Sequence, residues 1–400
     1  MAITPLTVLD LVPISSGSNP AEALQNTIAL ARATESFGYY RYWFAEHHLN
    51  PGVAGASPAV VLALTADATS TIRIGSGAVQ LGHRTALSTV EEFGLIDALH
   101  PGRVDLGLGR SGGRPPQPPG RADRENGADH ADREGREGRE PALVGAARHG
   151  DAAQGNRWTP NGLLIPPKFS VEKLLGSPRF RMQKTLLQLP GASPQDYGEQ
   201  VADILALLRG TYRSPDGVEG RAIPGEGANL QVWILGSSGG QSATVAGENG
   251  LRFASNYHVS PATVLEAVEG YRAAFRPSAD LERPHVSVSA DVVVAKDEPT
   301  ARELATGYGL WVRSIRSGDG AIPFPTPKEA RAHAWTDEDR ALVADRVQTQ
   351  FVGSAGQVAD KLEQLQEATG ADELIITTIT HDPADRVRSY RLLADEWHRR

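Results

Sequence analysis

Three side chains able to move protons stand together in Glu46-His47-His48, at the end of the apolar run Arg41-Tyr-Trp-Phe-Ala45. A carboxylate and two imidazoles at the tip of a buried strand are equipment for general acid/base chemistry, because histidine titrates near neutral pH. Successive side chains on a strand face opposite ways, so His47 and His48 cannot both line one pocket. Whichever histidine faces away is left for ordinary hydrogen bonding in a core or loop.

A second group with chemical potential is Gly236-Ser-Ser-Gly-Gly-Gln-Ser242, which joins a strand-like run to a helix-like one. Free amides and hydroxyls at a helix N-terminus bind phosphate, although the same glycines also suit a flexible turn. Ser238, Gly239, Gly240 and Ser242 are the candidate anion ligands. Arg110 is the candidate counter-cation or, equally, a surface arginine. Gly107-Leu-Gly-Arg-Ser-Gly112 fits the glycine pattern of dinucleotide folds, but that motif must open a helix, and Pro115-Pro116 follows here. The chain therefore has no evident site for a nicotinamide. There is no cysteine, no HExxH and no GxSxG, and Glu46-His47-His48 alone is too compact to chelate, so no metal site and no serine or thiol hydrolase is expected.

The elements that must position these groups alternate regularly. Leu6-Thr-Val-Leu-Asp-Leu-Val12 reads as a first strand. Asn19-Pro20-Ala21-Glu22 starts a helix with apolar face Leu24, Ile28 and Ala31, and Gly38 stops it. Helices over 58–69 and 86–99 separate strands over 71–79 and 103–109. After residue 194 the pattern resumes: a helix to 208, a strand over 231–236, a helix over 241–248, a strand over 251–256, a helix over 261–275 and a strand over 286–295. Helices over 299–315, 336–347 and 354–370, a strand over 373–379 and a helix over 383–398 close the chain. Eight strands with intervening helices predict an α/β fold, a closed (β/α)8 TIM barrel in one domain spanning 1–400; an open doubly wound sheet is the alternative. Barrel ligands gather at the C-terminal strand ends. That rule collects Asp10, Glu46 to His48, Gly77-Ala78, Gly109-Arg110-Ser111, the 236–242 turn and Asn256-Tyr257-His258 on one rim, with Asp10 and His258 as candidates for the substrate pocket.

The alternation breaks at 112–190. Residues 114–157 are rich in proline, glycine and charge, and predict a mobile insertion after strand four, with room for a charged helix over 131–140 or a lid above the rim. The net charge of −8 excludes a general affinity for nucleic acid or anionic membrane. With no signal-like start and no bilayer-length apolar run, a soluble cytoplasmic enzyme is the expectation.

In order and spacing, Trp43-Phe-Ala-Glu-His-His48, Ile74-Gly-Ser-Gly-Ala-Val79, Glu91-Glu92 with Ile96-Asp97, Pro101-Gly-Arg-Val-Asp-Leu-Gly-Leu-Gly-Arg110, residues 232–253 and residues 351–393 resemble the bacterial luciferase-like flavin monooxygenases. The resemblance implies a TIM barrel that binds reduced FMN at its rim, forms a C4a-(hydro)peroxyflavin with O2 and oxygenates a small organic molecule, with FMNH2 delivered by a separate NAD(P)H:flavin reductase. It implies that His47 is the catalytic acid/base, with a near-neutral pKa, and that Glu46 and His48 orient it or shape the pocket. Gly77-Ala78 falls where the family has a cis peptide beneath the flavin. Arg110, Ser238, Gly239, Gly240 and Ser242 fall on the FMN phosphate. Family members pair through helices of the first half, so a homodimer is expected. Gly109 stands where luciferase has a reactive cysteine, and Thr85 where it has a histidine. These departures turn the expectation from light emission toward the oxygenases of secondary metabolism, including antibiotic biosynthesis. Two other readings fit the same barrel: an F420-dependent dehydrogenase, and a flavin-binding protein without turnover.

Overall fold

Local signals decide where each strand gives way to a helix. Leu6–Asp10 (β1) leads to Pro20–Ser36 (α1), where the Asn19 side chain accepts the Glu22 amide and Pro20 sits in the first turn. Gly38 stops the helix with φ of +84°, and Arg41–Phe44 (β2) follows. Pro58–Ala66 (α2), Arg73–Ser76 (β3), Ala86–Leu99 (α3) and Val104–Gly109 (β4) repeat the unit. The second half runs Tyr197–Leu208 (α4), Gln231–Gly236 (β5), Gln241–Glu248 (α5), Arg252–Asn256 (β6), Val264–Ala274 (α6), Val286–Ala295 (β7), Ala355–Thr369 (α7), Glu373–Thr377 (β8) and Pro383–Trp397 (α8). These are features of a computed structural model that describes residues 3–110, 155–171, 174 and 176–400.

All eight strands pair in parallel in sequence order, and the ring closes because β1 pairs with both β2 and β8. The open-sheet alternative is thereby excluded. Strand alternation sorts the side chains into two cores. Tyr42, Phe44, Val8 and Ile376 face the helices. Leu9, Trp43, Trp233 and Ile375 fill the barrel, with the rings of Trp43 and Trp233 edge to face at 4.9 Å.

Below the tryptophans lies a charged floor. Arg41 binds Glu373 and Asp105 at 2.8 Å and the side-chain oxygen of Gln231 at 2.8 Å, while Trp43 Nε1 donates to Asp105 at 2.9 Å. Burial pushes the Glu373 carboxyl up, but the hydrogen bond from His285 and the charge of Arg41 win and draw it down to about 2. Truncating one partner of such a buried network costs about 3–5 kcal/mol, so this floor fixes the strands from which the rim projects.

Several expectations need correction. Helix α1 buries Ala23, Thr27, Leu30, Ala31 and Thr34, while Leu24 and Ile28 are only half-buried: the buried stripe is centred one residue away and includes two threonines. The third strand is split, with Val79–Gln80 running on beside β4. Phe351–Ser354 is a short strand paired in parallel beside the C-terminal part of β7, and residues 298–316 form two helices, Glu298–Leu304 and Gly307–Arg316. Most of the 114–157 stretch, with the suggested helix over 131–140, lies outside the described residues. The described part of 112–190 contains the hairpin Arg157–Trp158 with Leu164–Ile165 and the helix Pro178–Leu187. Among the described residues no helix is long and apolar enough to cross a membrane.

Candidate active site

The C-terminal strand ends surround a cavity of about 560 Å³. Its floor is apolar, from Leu9, Trp43, Leu235 and Ile375, and its far wall comes from the segment after β7 through Trp311 and Ile315. Parity decides what the end of β2 contributes. Arg41, Trp43, Ala45 and His47 point inward, whereas Glu46 and His48 are absent from the lining.

Glu46 is buried on the outer side at 3% exposure and organises the adjoining loop. Its Oε1 accepts from His48 Nε2 at 2.9 Å, His83 Nε2 at 3.1 Å and Arg84 Nη2 at 3.0 Å, and its Oε2 accepts the Gln80 amide at 2.7 Å. Burial raises the carboxyl, but those hydrogen bonds and the Arg84 charge hold it well below the usual carboxylate range. The ligating atoms of Glu46, His48 and His83 lie within 4.8 Å of one another, a spacing a cation could bridge. The Arg84 guanidinium already occupies the shared oxygen, so the cluster is satisfied as an ion-pair network. Neither Glu46 nor His48 hydrogen-bonds His47, and their expected role of orienting it is not what the geometry supplies.

His47 has a buried Nδ1 with no hydrogen-bond partner among the described residues. Burial pushes its pKa down to about 4, His48 adds to the drop, and Glu46 opposes it. The expected near-neutral value is corrected: at pH 7 the ring is neutral, with one nitrogen unused by the protein. His258 joins the same cavity, its Nδ1 2.6 Å from Ser289 Oγ, and burial, then Arg346 and His47, pull its pKa down to about 3. Asp10 goes elsewhere. It is fully buried behind Leu9 and Leu11, bound by Arg386 of α8 at 2.8 Å and Thr27 of α1 at 2.8 Å, and it lines no part of the cavity. Asp10 is a structural tie between sheet and helices.

At the opposite side, Gly77, Ala78, Arg110, Ser238 and Ser242 line the cavity, and the Gly77–Ala78 peptide is cis. Helix α5 begins at Gly240 with no side-chain cap bond, so its first amides are free of a side-chain acceptor. Arg110 Nη1 donates to Gln241 Oε1 at 3.2 Å. Gly239 and Gly240 stand outside the lining. The Gly239 amide is turned to Glu266 at 3.3 Å, and a Cβ there would press on the α6 backbone at 2.9 Å, so this glycine serves helix packing. Gly107 and Gly109 lie within β4, where a Cβ on Gly107 would strike the Ser76 carbonyl; neither sits in a phosphate-binding turn.

Sequence reasoning put Asn256 on the rim without giving it a role, and missed Ser255, Trp311, Thr377 and Arg179. Each offers the cavity a buried polar atom with no partner among the described residues. Such atoms cost free energy unless a ligand or water meets them, so they fit a guest with polar groups, and the uncapped helix fits an anionic one.

The sequence profile of the luciferase-like monooxygenases matches residues 4–140 and 195–373. The chain belongs to that family. Within it, an uncharacterized protein of Bacillus subtilis (strain 168), YvbT, is 33% identical over 99% of this chain and 98% of its own length. A luciferase-like monooxygenase of Escherichia coli (strain K12) is 28% identical over 97% and 95%. The crystal structure of apo-MsnO8 superimposes with a TM-score of 0.73 at 28% identity, covering 99% and 98%. A type II Baeyer-Villiger monooxygenase of Pseudomonas putida in complex with FMN (TM-score 0.60, 17% identity, 99% and 97% covered) shares the fold. So does an F420-dependent secondary alcohol dehydrogenase with an F420-acetone adduct (0.57, 13%, 99% and 98%). This luciferase-like barrel thus carries either a flavin or a deazaflavin in proteins of its shape.

Proposed function

We propose that the chain is the oxygenase of a two-component system, taking reduced FMN from a separate reductase and using O2 to oxygenate a small organic substrate. One observation carries the reading: a single cavity joins an uncapped helix N-terminus and Arg110 to a neutral histidine whose Nδ1 has no partner among the described residues. Arg110, Ser238 and Ser242 would hold the phosphate, and the floor of Leu9, Trp43 and Ile375 would lie beneath the ring. Bound reduced flavin supplies the two electrons that activate O2. His47, neutral above pH about 4, accepts or returns a proton at Nδ1 without first breaking a hydrogen bond. The tryptophan layer keeps water from entering from below. Because Gly107 and Gly109 are strand residues, the GxGxxG stretch is not a dinucleotide-binding turn where it is described, which supports an external reductase. The apolar lining suits a hydrophobic substrate of the kind oxidised in secondary metabolism, and the expectation of a cytoplasmic enzyme stands with this reading.

Pairing of two copies through α2 and α3 belongs to the same proposal. Val60 and Leu64, one turn apart, are 60% and 54% exposed, and Leu95 and Leu99 are 59% and 80% exposed. Two adjoining helices with such outer faces leave apolar surface that a second copy would cover.

The test is anaerobic titration with FMNH2 and, in parallel, reduced F420, followed by mixing with O2 and measurement of oxygen uptake. Tighter binding of FMNH2, with bound flavin reacting with O2 at a rate distinct from free flavin and altered in His47→Ala, supports the proposal. Tighter binding of reduced F420 with oxygen-independent substrate oxidation would replace it by the dehydrogenase. Tight binding of oxidised flavin with no reaction in either assay would leave a binding protein.

A further inference from the structure

The helix Pro178–Leu187 carries Arg179 in its first turn, capped by Ser177, whose Oγ accepts the Phe180 amide at 3.2 Å. A cation at that end is opposed by the helix dipole, so helix stability does not explain it. Packing does not explain it either: among the described residues the buried Arg179 Nη2 has no hydrogen-bond partner and no carboxylate pairs with the guanidinium. The group faces the cavity.

Three guanidiniums line that cavity against one carboxylate, Asp291. Arg346 is committed to Asp291 at 3.2 Å and to the Tyr308 hydroxyl. Arg110 stands beside the α5 N-terminus, where the proposed phosphate goes. Arg179 remains, and its described neighbours differ from those of Arg110, which bonds Gln241. Its guanidinium lies over Gly320, whose φ of +77° and lack of a side chain leave the space for it. The next residue, Ala321, donates its amide to Asn50 Oδ1 at 2.9 Å, and Asn50 Nδ2 donates to the His48 carbonyl at 3.0 Å. Arg179 is therefore tied to the wall formed by the loop that follows His47. Around it the lining is apolar, from Phe180, Trp311 and Ile315.

We propose that Arg179 anchors the substrate, and that the enzyme takes an apolar molecule carrying a carboxylate, which the planar guanidinium grips while the apolar body lies toward His47. This rests on the reading that Arg110 and the 238–242 turn take the FMN phosphate; the second cation then needs a second anion. A carboxylate matches the two-pronged guanidinium in shape and charge, and a neutral amide of the same size does not.

Calorimetric titration of the full chain, with and without saturating FMN, would compare 4-phenylbutyrate with 4-phenylbutyramide. The expected result is tighter binding of the carboxylate by about tenfold or more, the scale of a charge-assisted hydrogen bond. Arg179→Gln should reduce the preference to within about twofold, Arg179→Lys should keep part of it, and neither should lower the melting temperature, because no partner among the described residues is lost. Equal binding of acid and amide by the wild type, failure of both to bind at millimolar concentration, or a preference that survives Arg179→Gln would overturn the assignment. So would a larger loss of FMN affinity than of carboxylate affinity in Arg179→Gln. If FMN does not bind while the carboxylate preference and its loss persist in the FMN-free protein, the subsite stands and the FMN reading fails.

Discussion

Replacing Arg110 by Gln isolates the phosphate half of the proposed flavin site. Arg110 ends β4, is exposed, and makes one hydrogen bond, to Gln241 Oε1 at 3.2 Å, so it swings to an anion at α5 with little rearrangement. A buried charged hydrogen bond contributes about 1.5–3 kcal/mol, and solvent exposure discounts that to roughly 1–2. FMN affinity should therefore fall about 5- to 30-fold. Riboflavin, which lacks the phosphate, should bind the two proteins within about twofold of each other, because Arg110 would have nothing to hold. The measurement is anaerobic titration of both flavins, reduced, against both proteins, with the four free energies closed as a cycle. An Arg110→Gln protein that loses riboflavin as readily as FMN would show that Arg110 acts through the fold of the β4 end. One that loses neither would remove α5 from the proposed cofactor site.

His47→Ala should lower turnover by roughly 10²- to 10⁴-fold with FMNH2 affinity changed less than about threefold; equal losses in binding and turnover would make His47 a packing residue. The depressed pKa values of His47 and His258, about 4 and about 3 against an ordinary 6.5, fix the sign of an acid effect. The unfolded chain takes up protons first, so the stability these residues contribute is complete above about 6.5 and is lost as pH falls toward the folded values. Between pH 7 and pH 5 the loss is about 2 kcal/mol for each ring, read from urea unfolding, and His258→Gln should flatten that slope by its share; an unchanged slope would show that His258 is solvated in the folded state. Leu95→Asp with Leu99→Asp should convert a dimer to a monomer in light scattering while leaving the circular dichroism spectrum unchanged, and a wild-type monomer would end the pairing proposal.

Much of this site was legible because strand grammar is local. Each β-run gives way to a helix-patterned run, and that repetition gave eight strands and the rim on which His47, Arg110 and Ser242 lie. What failed was long-range. Glu46 looked like a partner for His47, but its real partners, His83 and Arg84, come from a loop more than thirty residues away. Arg179 lay in a region whose composition broke the pattern, and its meaning depends on Gly320 and Asn50, which no spacing connects to it. The short strand Phe351–Ser354 holds a glycine and ends on a helix cap, so local chemistry showed only the cap, Ser354, and left the strand before it unread.

Asp10 was a different kind of failure, and an avoidable one. The parity that lets only one of His47 and His48 enter the cavity applies equally to β1. Leu9 and Leu11 line the cavity, so the residue between them must face the helices. A carboxylate turned into that layer requires a cation, and Arg386 of α8 supplies it from the other end of the chain. Proximity to the rim made Asp10 a substrate candidate, and direction made it a tie. At a barrel rim, position along the strand states which residues are near a ligand. Parity states which can touch it, and here it admits His47 while turning Glu46, His48 and Asp10 away.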